Sequence, residues 1–480
     1  MAKQVQKDTK KEEKKSLKKE YIFYSIILLV FVVLATIISL KHEYWPDESN
    51  AWLIAEDSSL IQLFTKYLHT DGHPALFHLI IKLFAFCGLK YSNFRIISLL
   101  FSTLGVAVFL FKSDYKWYLK LLLPFTFFIF YQYTVITRGY CMMLLLLSLL
   151  AMLWKKRKEK CILFSFILFL LLSLESYTFI IAGSIYFLNI VDYYLDYRKT
   201  KKHDKKNLIC LIFIFLAFLL TTIYVFPRPD NTFHPRFTFY YLSDSFITEF
   251  TIPEYIKAIL SVVTFSILFI VNYKKHDKRQ LLELAIIALP IYLFLKFKYC
   301  NLWHTGIMFF LLLFIGWIHN YKDSKLFNIF MIITCIIQIS WSVNSSIYDY
   351  KEVYSPAEDV ANFVKKYDYE NMKIYAFEFY ECSVNAFFDK NIFANWNDDI
   401  RFFYWNKSNP YNSISLEPED LIKDNVDMFI GVPLYQKLDH KKLRESYDEY
   451  IFKGSTYFQN HKFENMETYV YVRKGLQQKT

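Results

Sequence analysis

The chain lacks a cysteine framework. Its seven cysteines show neither disulfide nor zinc spacing: Cys87, Cys141, Cys161, Cys210 and Cys335 stand in apolar stretches, Cys300 beside a predicted helix end, and Cys382 alone near the C-terminus. A thiol in an apolar stretch behaves as a small hydrophobe, so disulfide-stapled secreted folds and zinc ribbons are excluded. Glycine and proline are scarce, at 10 and 12 residues, and few interrupt the apolar stretches. That argues against a transporter built on paired broken helices. Charge is sparse as well, 21% of residues against 54% hydrophobic. The formal net charge of +11 is mostly loop lysine, which orients a membrane protein and gives no sign of a nucleic-acid partner.

What the chain has is long apolar runs. Residues 1–20 are polar and lysine-rich, and 21–40 are apolar. That run is too long for a signal-peptide core and has no small-residue cleavage site before Lys41, so an uncleaved first helix with a cytoplasmic tail is expected. Further spans are expected at 94–112, 118–135, 139–154, 161–174, 177–195, 207–226, 255–272, 280–297, 304–319 and 326–343. The segment 74–89 decides the topology, because it is apolar but short and carries His78 and Lys82. If it crosses, the lysine clusters at 155–158, 198–206, 274–279 and 322–325 all fall outside. If it lies on the outer surface, all four fall inside, with the lysine tail, as the positive-inside rule requires. The expected fold is an α-helical polytopic membrane protein with about eleven spans (21–343). Its first loop, 41–93, is external, and a small extracytoplasmic α/β domain follows at 344–480.

In that domain, Ser355-Pro356-Ala357-Glu358 reads as an N-cap, an N1 proline and an early acid before a helix to Val364. Stretches 373–377 and 426–432 read as buried strands, and 450–458 with 468–472 as an antiparallel pair. There is no Gly-rich phosphate loop or nucleophile motif here, so a cap that shapes substrate or binds a partner is expected.

Five features fall on the outer side in this topology. Trp45-Pro46-Asp47-Glu48 follows the first helix; two carboxylates there can serve as a general base, help hold a cation, or simply be solvated acids capping the next helix. His69-Thr70-Asp71-Gly72-His73-Pro74 suits either a metal or an Asp-Gly turn before a surface helix. Arg138, in the segment from Tyr133 to Tyr140, is an interfacial snorkeller or a phosphate ligand. Glu175-Ser176-Tyr177 puts an acid between long apolar spans, where it wants a reason unless the turn is solvated. Finally Arg228, His234 and Arg236, with Lys296, Lys298 and His304, are basic residues against the loop trend, which suits an anionic ligand such as lipid phosphate or plain headgroup contact.

The run Trp45-Pro46-Asp47-Glu48, Ala51-Trp52-Leu53-Ile54-Ala55 and His73-Pro74-Ala75-Leu76-Phe77 resembles the first loop of the GT-C membrane glycosyltransferases. It is nearest the protein O-mannosyltransferase and aminoarabinose transferase type. Tyr131-Gln132-Tyr133 through Arg138-Gly139-Tyr140 to Leu145 is similar to the family's segment in which an Arg and a Tyr open a long apolar helix. The resemblance covers about residues 21–200 and extends more loosely to 343. It implies Asp47 as catalytic base, Glu48 beside it shaping the acceptor site, Arg138 near the donor phosphate and His73 supporting the loop. Tyr140, Glu175, Tyr177, Arg228, Lys298 and His304 complete the expected substrate-binding set. Ala75 replaces a frequent second proline, and Gly139-Tyr140 stand where the O-mannosyltransferases carry an Asp. The Asp-x-Asp-like motif of oligosaccharyltransferases is missing, so the expectation is catalysis with no metal and no cofactor. The implied reaction is inverting transfer from a polyprenyl-phosphate sugar to a hydroxyl on protein, lipid or cell-wall polymer, with membrane lipid as the other partner. A lipid-linked sugar flippase or glycan polymerase, or a sensor using the C-terminal domain, are the other readings of the same layout.

Overall fold

The computed structural model describes residues 2–232, 240–247, 252–273, 277–376, 379–396, 400–407, 418–431, 439–458 and 462–476. Among these, eight helices are long and apolar enough to cross a membrane: Lys18–Ser39, Tyr91–Lys112, Gly139–Lys156, Ser176–Thr200, Lys205–Val225, Glu254–Tyr273, Lys278–Phe297 and Lys325–Lys351. Several keep large apolar side chains on the outside, among them Ile209, Phe215 and Leu220 on one helix and Val262 and Phe265 on another. Hydrocarbon rather than water is the solvent for such faces, and the chain is a helical membrane protein.

The other three expected spans are short or broken. Cys161–Leu172 and Gly306–Ile318 are apolar but have only 12 and 13 residues. At about 1.5 Å per residue each falls well below a hydrocarbon core of about 30 Å. The stretch expected at 118–135 is a helix Trp117–Leu122, a 3-10 turn Leu123–Phe125 and a π-helix Phe127–Val135. Pro124 explains the break: it donates no backbone hydrogen bond and its ring crowds the preceding turn. The last helix continues past 343 to Lys351, which brings Asp349 into it.

Polar contacts sort the loops into two ends. At one, Lys116 faces Asp323, Lys322 faces Asp114, and Arg157 and Arg279 share Asp192. At the other, His42 meets Asp349, Thr137 N–H meets Glu48, His73 meets Glu175, and Ser245 bonds the Thr305 carbonyl. Helix Leu76–Phe86 starts at this second end, where Leu76 N–H bonds the Ser173 carbonyl, and Tyr91 after it meets Ser49 there. The segment therefore leaves from and returns to one end without crossing.

The C-terminal domain builds a four-stranded sheet in the order β1-β2-β6-β3 from β1 (Ile374–Ala376), β2 (Met428–Gly431), β3 (Tyr447–Phe452) and β6 (Thr468–Arg473). Only β1 and β2 run parallel. Strand β6 runs antiparallel to both β2 and β3, and of the expected partner stretch 450–458 only 450–452 lies against it, with Tyr450 opposite Val470. Residues beyond β3 leave to form a hairpin of β4 (Ser455–Phe458) and β5 (Lys462–Asn465). The turn-off is at Gly454, where a side chain would collide with the Pro356 ring. Helix Ala357–Lys366 buries Val360, Ala361 and Val364. Its flanking residue is Pro356 itself, and Ser355, expected as the cap, makes no capping bond.

This domain docks on the first loop. Arg401 pairs with Asp57 and Glu56, and the Asn50 amide exchanges two hydrogen bonds with the Phe403 backbone, at 2.8 and 3.1 Å.

Candidate functional site around the acidic pair

The acidic pair is not a stretch of loop ahead of a helix. Pro46 occupies the first turn of helix Pro46–Asp57, so Asp47 and Glu48 belong to that turn. Proline suits this position, where its missing N–H would be unsatisfied anyway, and acids there complement the helix dipole. Helical geometry then sends the neighbours in different directions. Glu48 points inward and is fully buried, whereas Asp47 keeps 31% of its side chain open.

Three donors hold Glu48. Its Oε2 accepts from His42 Nε2 at 2.9 Å and from Trp45 N–H at 3.1 Å, and its Oε1 from Thr137 N–H at 2.5 Å. The second ring nitrogen of His42, Nδ1, lies 3.0 Å from Asp349 Oδ2, which also accepts from the Tyr131 hydroxyl at 3.2 Å. Both His42 nitrogens thus face carboxylates and both carry protons. Burial works against that charge, but Asp349 and Glu48 outweigh it and hold the imidazolium up to about 10.

Asp47 faces Arg138. The guanidinium Nη1 donates to the Asp47 carbonyl at 2.7 Å and stands 3.7 Å from its carboxylate. Burial among protein atoms raises the Asp47 carboxyl above its ordinary value, and the charges of Arg138 and His73 offset only part of this.

Next in sequence, Gly139 touches Glu175, whose Oε1 fills the space a side chain at 139 would need. Glu175 flanks the start of helix Ser176–Thr200, and its Oε2 meets His73 Nδ1 at 2.5 Å. Burial opposes the His73 charge, yet Glu175 and Asp71 lift it to about 8. His73 follows Gly72, whose φ of 73° ends the short helix Leu68–Asp71 in the left-handed region, where glycine is at no disadvantage. Tyr140 stacks on Tyr133 at 5.0 Å and lies 6.0 Å from the His304 ring; its buried hydroxyl finds no partner among the described residues. His304 Nδ1 accepts from Asn301 N–H at 3.0 Å and meets the Tyr177 hydroxyl at 2.7 Å. Because an amide can only donate, that nitrogen is bare and the ring is neutral.

Asp47, Glu48, His73, Arg138, Tyr140, Glu175, Tyr177 and His304 therefore form one connected group. His304 enters it as a neutral acceptor rather than the cation its sequence context suggested. Among the described residues, no hydrogen bond or ion pair joins Arg228 or Lys298 to this group. Arg228 bonds His69 Nε2 at 2.9 Å and borders a pocket of about 230 Å³ with Lys66, Thr70 and Asn406. Lys298 is exposed just beyond helix Lys278–Phe297. His234 and Arg236 lie outside the described residues. The His69-x-Asp71-x-His73 spacing does not close on one point: His69 turns to Arg228 and the Phe226 carbonyl, His73 to Glu175, and Asp71 lies 3.5 Å from His78. The turn reading accounts for these residues. Sequence reasoning missed His42, Asp349 and Tyr131. His42 was hidden beside Lys41 at a helix end, and Asp349 stands six residues past the expected end of the last span.

The chain matches no protein-family model and no curated protein.

Proposed function

We propose that the protein is a membrane glycosyltransferase that moves a sugar from a polyprenyl-phosphate donor to an acceptor hydroxyl on the outer face of the cell membrane. The observation that carries this reading is the division of the acidic pair: Glu48 is fully buried and held by three donors, while Asp47 remains open beside Arg138. A general base must be reachable by the proton it takes, and a leaving phosphate needs a cation that does not titrate away.

In this account an acceptor oxygen attacks the anomeric carbon while Asp47 takes the hydroxyl proton. The bond from that carbon to the phosphate oxygen breaks, polyprenyl phosphate leaves from the opposite face, and the configuration inverts. Arg138, whose Nη1 is engaged by the Asp47 carbonyl, offers its remaining donors to the phosphate. Tyr140 offers a buried hydroxyl that has no partner among the described residues. The apolar helix faces offer a bed for the polyprenyl tail. The lysine-rich end is assigned to the cytoplasm by the positive-inside rule, which sets the site and the C-terminal domain outside. Mass spectrometry of lipid-linked sugars and envelope glycans in cells lacking the protein tests this. Accumulation of one polyprenyl-phosphate sugar with loss of one glycan modification supports transfer, and an unchanged pool and glycan profile contradict it.

A further inference from the structure

We propose that His42, clamped between Glu48 and Asp349, is a positioning residue for the Asp47–Arg138 pair. The inference rests on the transfer reading for what that pair does, and on geometry alone for how the pair is held. His42 follows the first helix, Glu48 sits in the first loop, and Asp349 is on the last membrane helix. The ring joins them end to end, at 2.9 Å to Glu48 and 3.0 Å to Asp349, and the Tyr354 ring makes an edge contact with it at 4.6 Å between centroids. Glu48 then reaches both reacting partners through the backbone. Its Oε2 holds the Trp45 amide, two residues before Asp47, and its Oε1 holds the Thr137 amide, one residue before Arg138. A single carboxylate so sets the spacing between base and cation, and the charge on His42 keeps that carboxylate buried and aimed.

Without His42, two carboxylates with no solvent-exposed surface would lose the cation between them, and burying unpaired charge is strongly unfavourable. Glu48 would have to swing toward water, releasing the Thr137 amide and with it the backbone at Arg138. His42→Gln alone risks unfolding for that reason. His42→Gln/Asp349→Asn removes one cation and one anion together and leaves the net charge of the cluster unchanged.

The test compares the full chain in lipid nanodiscs as wild type, His42→Gln, His42→Gln/Asp349→Asn and Arg138→Ala. Two readouts are used: hydrogen exchange of the peptide spanning 131–142, and binding of decaprenyl phosphate as probe. Expected for the double variant is a cooperative unfolding transition, faster exchange at Thr137, and probe affinity lowered at least about tenfold, as for a displaced binding group. A folded double variant with wild-type exchange at Thr137 overturns the proposal, as does one with wild-type probe affinity where Arg138→Ala loses it. If the wild type does not bind the probe, the donor reading fails instead, and exchange at Thr137 alone then decides the role of His42.

Discussion

Glu175 stands so close to Gly139 that its Oε1 occupies the space a methyl group there would need. The same carboxylate holds His73 through its other oxygen. A residue with any side chain at 139 would therefore displace Glu175, separate it from His73 and shift the backbone between Arg138 and Tyr140. Gly139→Ala is expected to cost about 1–3 kcal/mol, the usual range for overpacking a filled interior. Thermal unfolding in detergent reads that loss. A Gly139→Ala protein as stable and as active as wild type would mean that the contact is loose.

The His73–Glu175 pair also gives a pH dependence. Its folded value of about 8 lies above the ordinary 6.5. A histidine raised in this way adds stability that is complete below 6.5 and lost as pH rises through about 8. Asp47 is raised as well, so its basic form appears at higher pH than that of an ordinary aspartate. Transfer is expected to rise along an acid limb above the usual aspartate range and to fall around pH 8. A pH–rate profile of wild type and His73→Gln checks both limbs. The alkaline fall should vanish in the variant.

The two ends of the molecule predict opposite labelling. Lys158 and Lys90 are both exposed, Lys158 at the lysine-rich end and Lys90 in the first loop. In a Cys87→Ser background, Lys90→Cys should react with an impermeant maleimide in intact cells. Lys158→Cys should react only after permeabilisation. The reverse pattern would turn the molecule over and put the site on the cytoplasmic side.

Arg401 ties the C-terminal domain to the first loop through Asp57 and Glu56. Its environment lies between that of a surface pair and a buried one, so Arg401→Ala should cost about 2 kcal/mol. Limited proteolysis should then cut the C-terminal domain faster, and acceptor use should change while donor binding persists. Unchanged proteolysis would assign the docking to the Asn50–Phe403 exchange and the aromatic contacts around Tyr67.

The helical membrane architecture was legible because apolar runs long enough to cross hydrocarbon have few other uses, and the non-crossing course of Leu76–Phe86 was legible from the lysine clusters of the later loops. The break at Pro124 was visible in the residue itself, yet hydropathy averages over it. Glu48 and Asp47 read alike as adjacent acids. Only the helical turn that begins at Pro46 separates them, because successive residues on a helix point about 100° apart. His42 and Asp349 are 307 positions apart, and no local pattern joins them; their pairing follows from how the first and last membrane helices pack. The cations at 228 and 298 were grouped with Arg138 by topology alone, which assigns an end of the molecule but not a distance within it.

The most direct measurement is sugar transfer by purified Asp47→Asn in nanodiscs, using as donor the polyprenyl-phosphate sugar that accumulates in cells lacking the protein. Asparagine keeps the shape of the side chain and removes the base. The account predicts a folded protein that still binds decaprenyl phosphate while transfer falls at least about 100-fold, the lower range for loss of a general base. Near-normal transfer by the folded Asp47→Asn protein would contradict it.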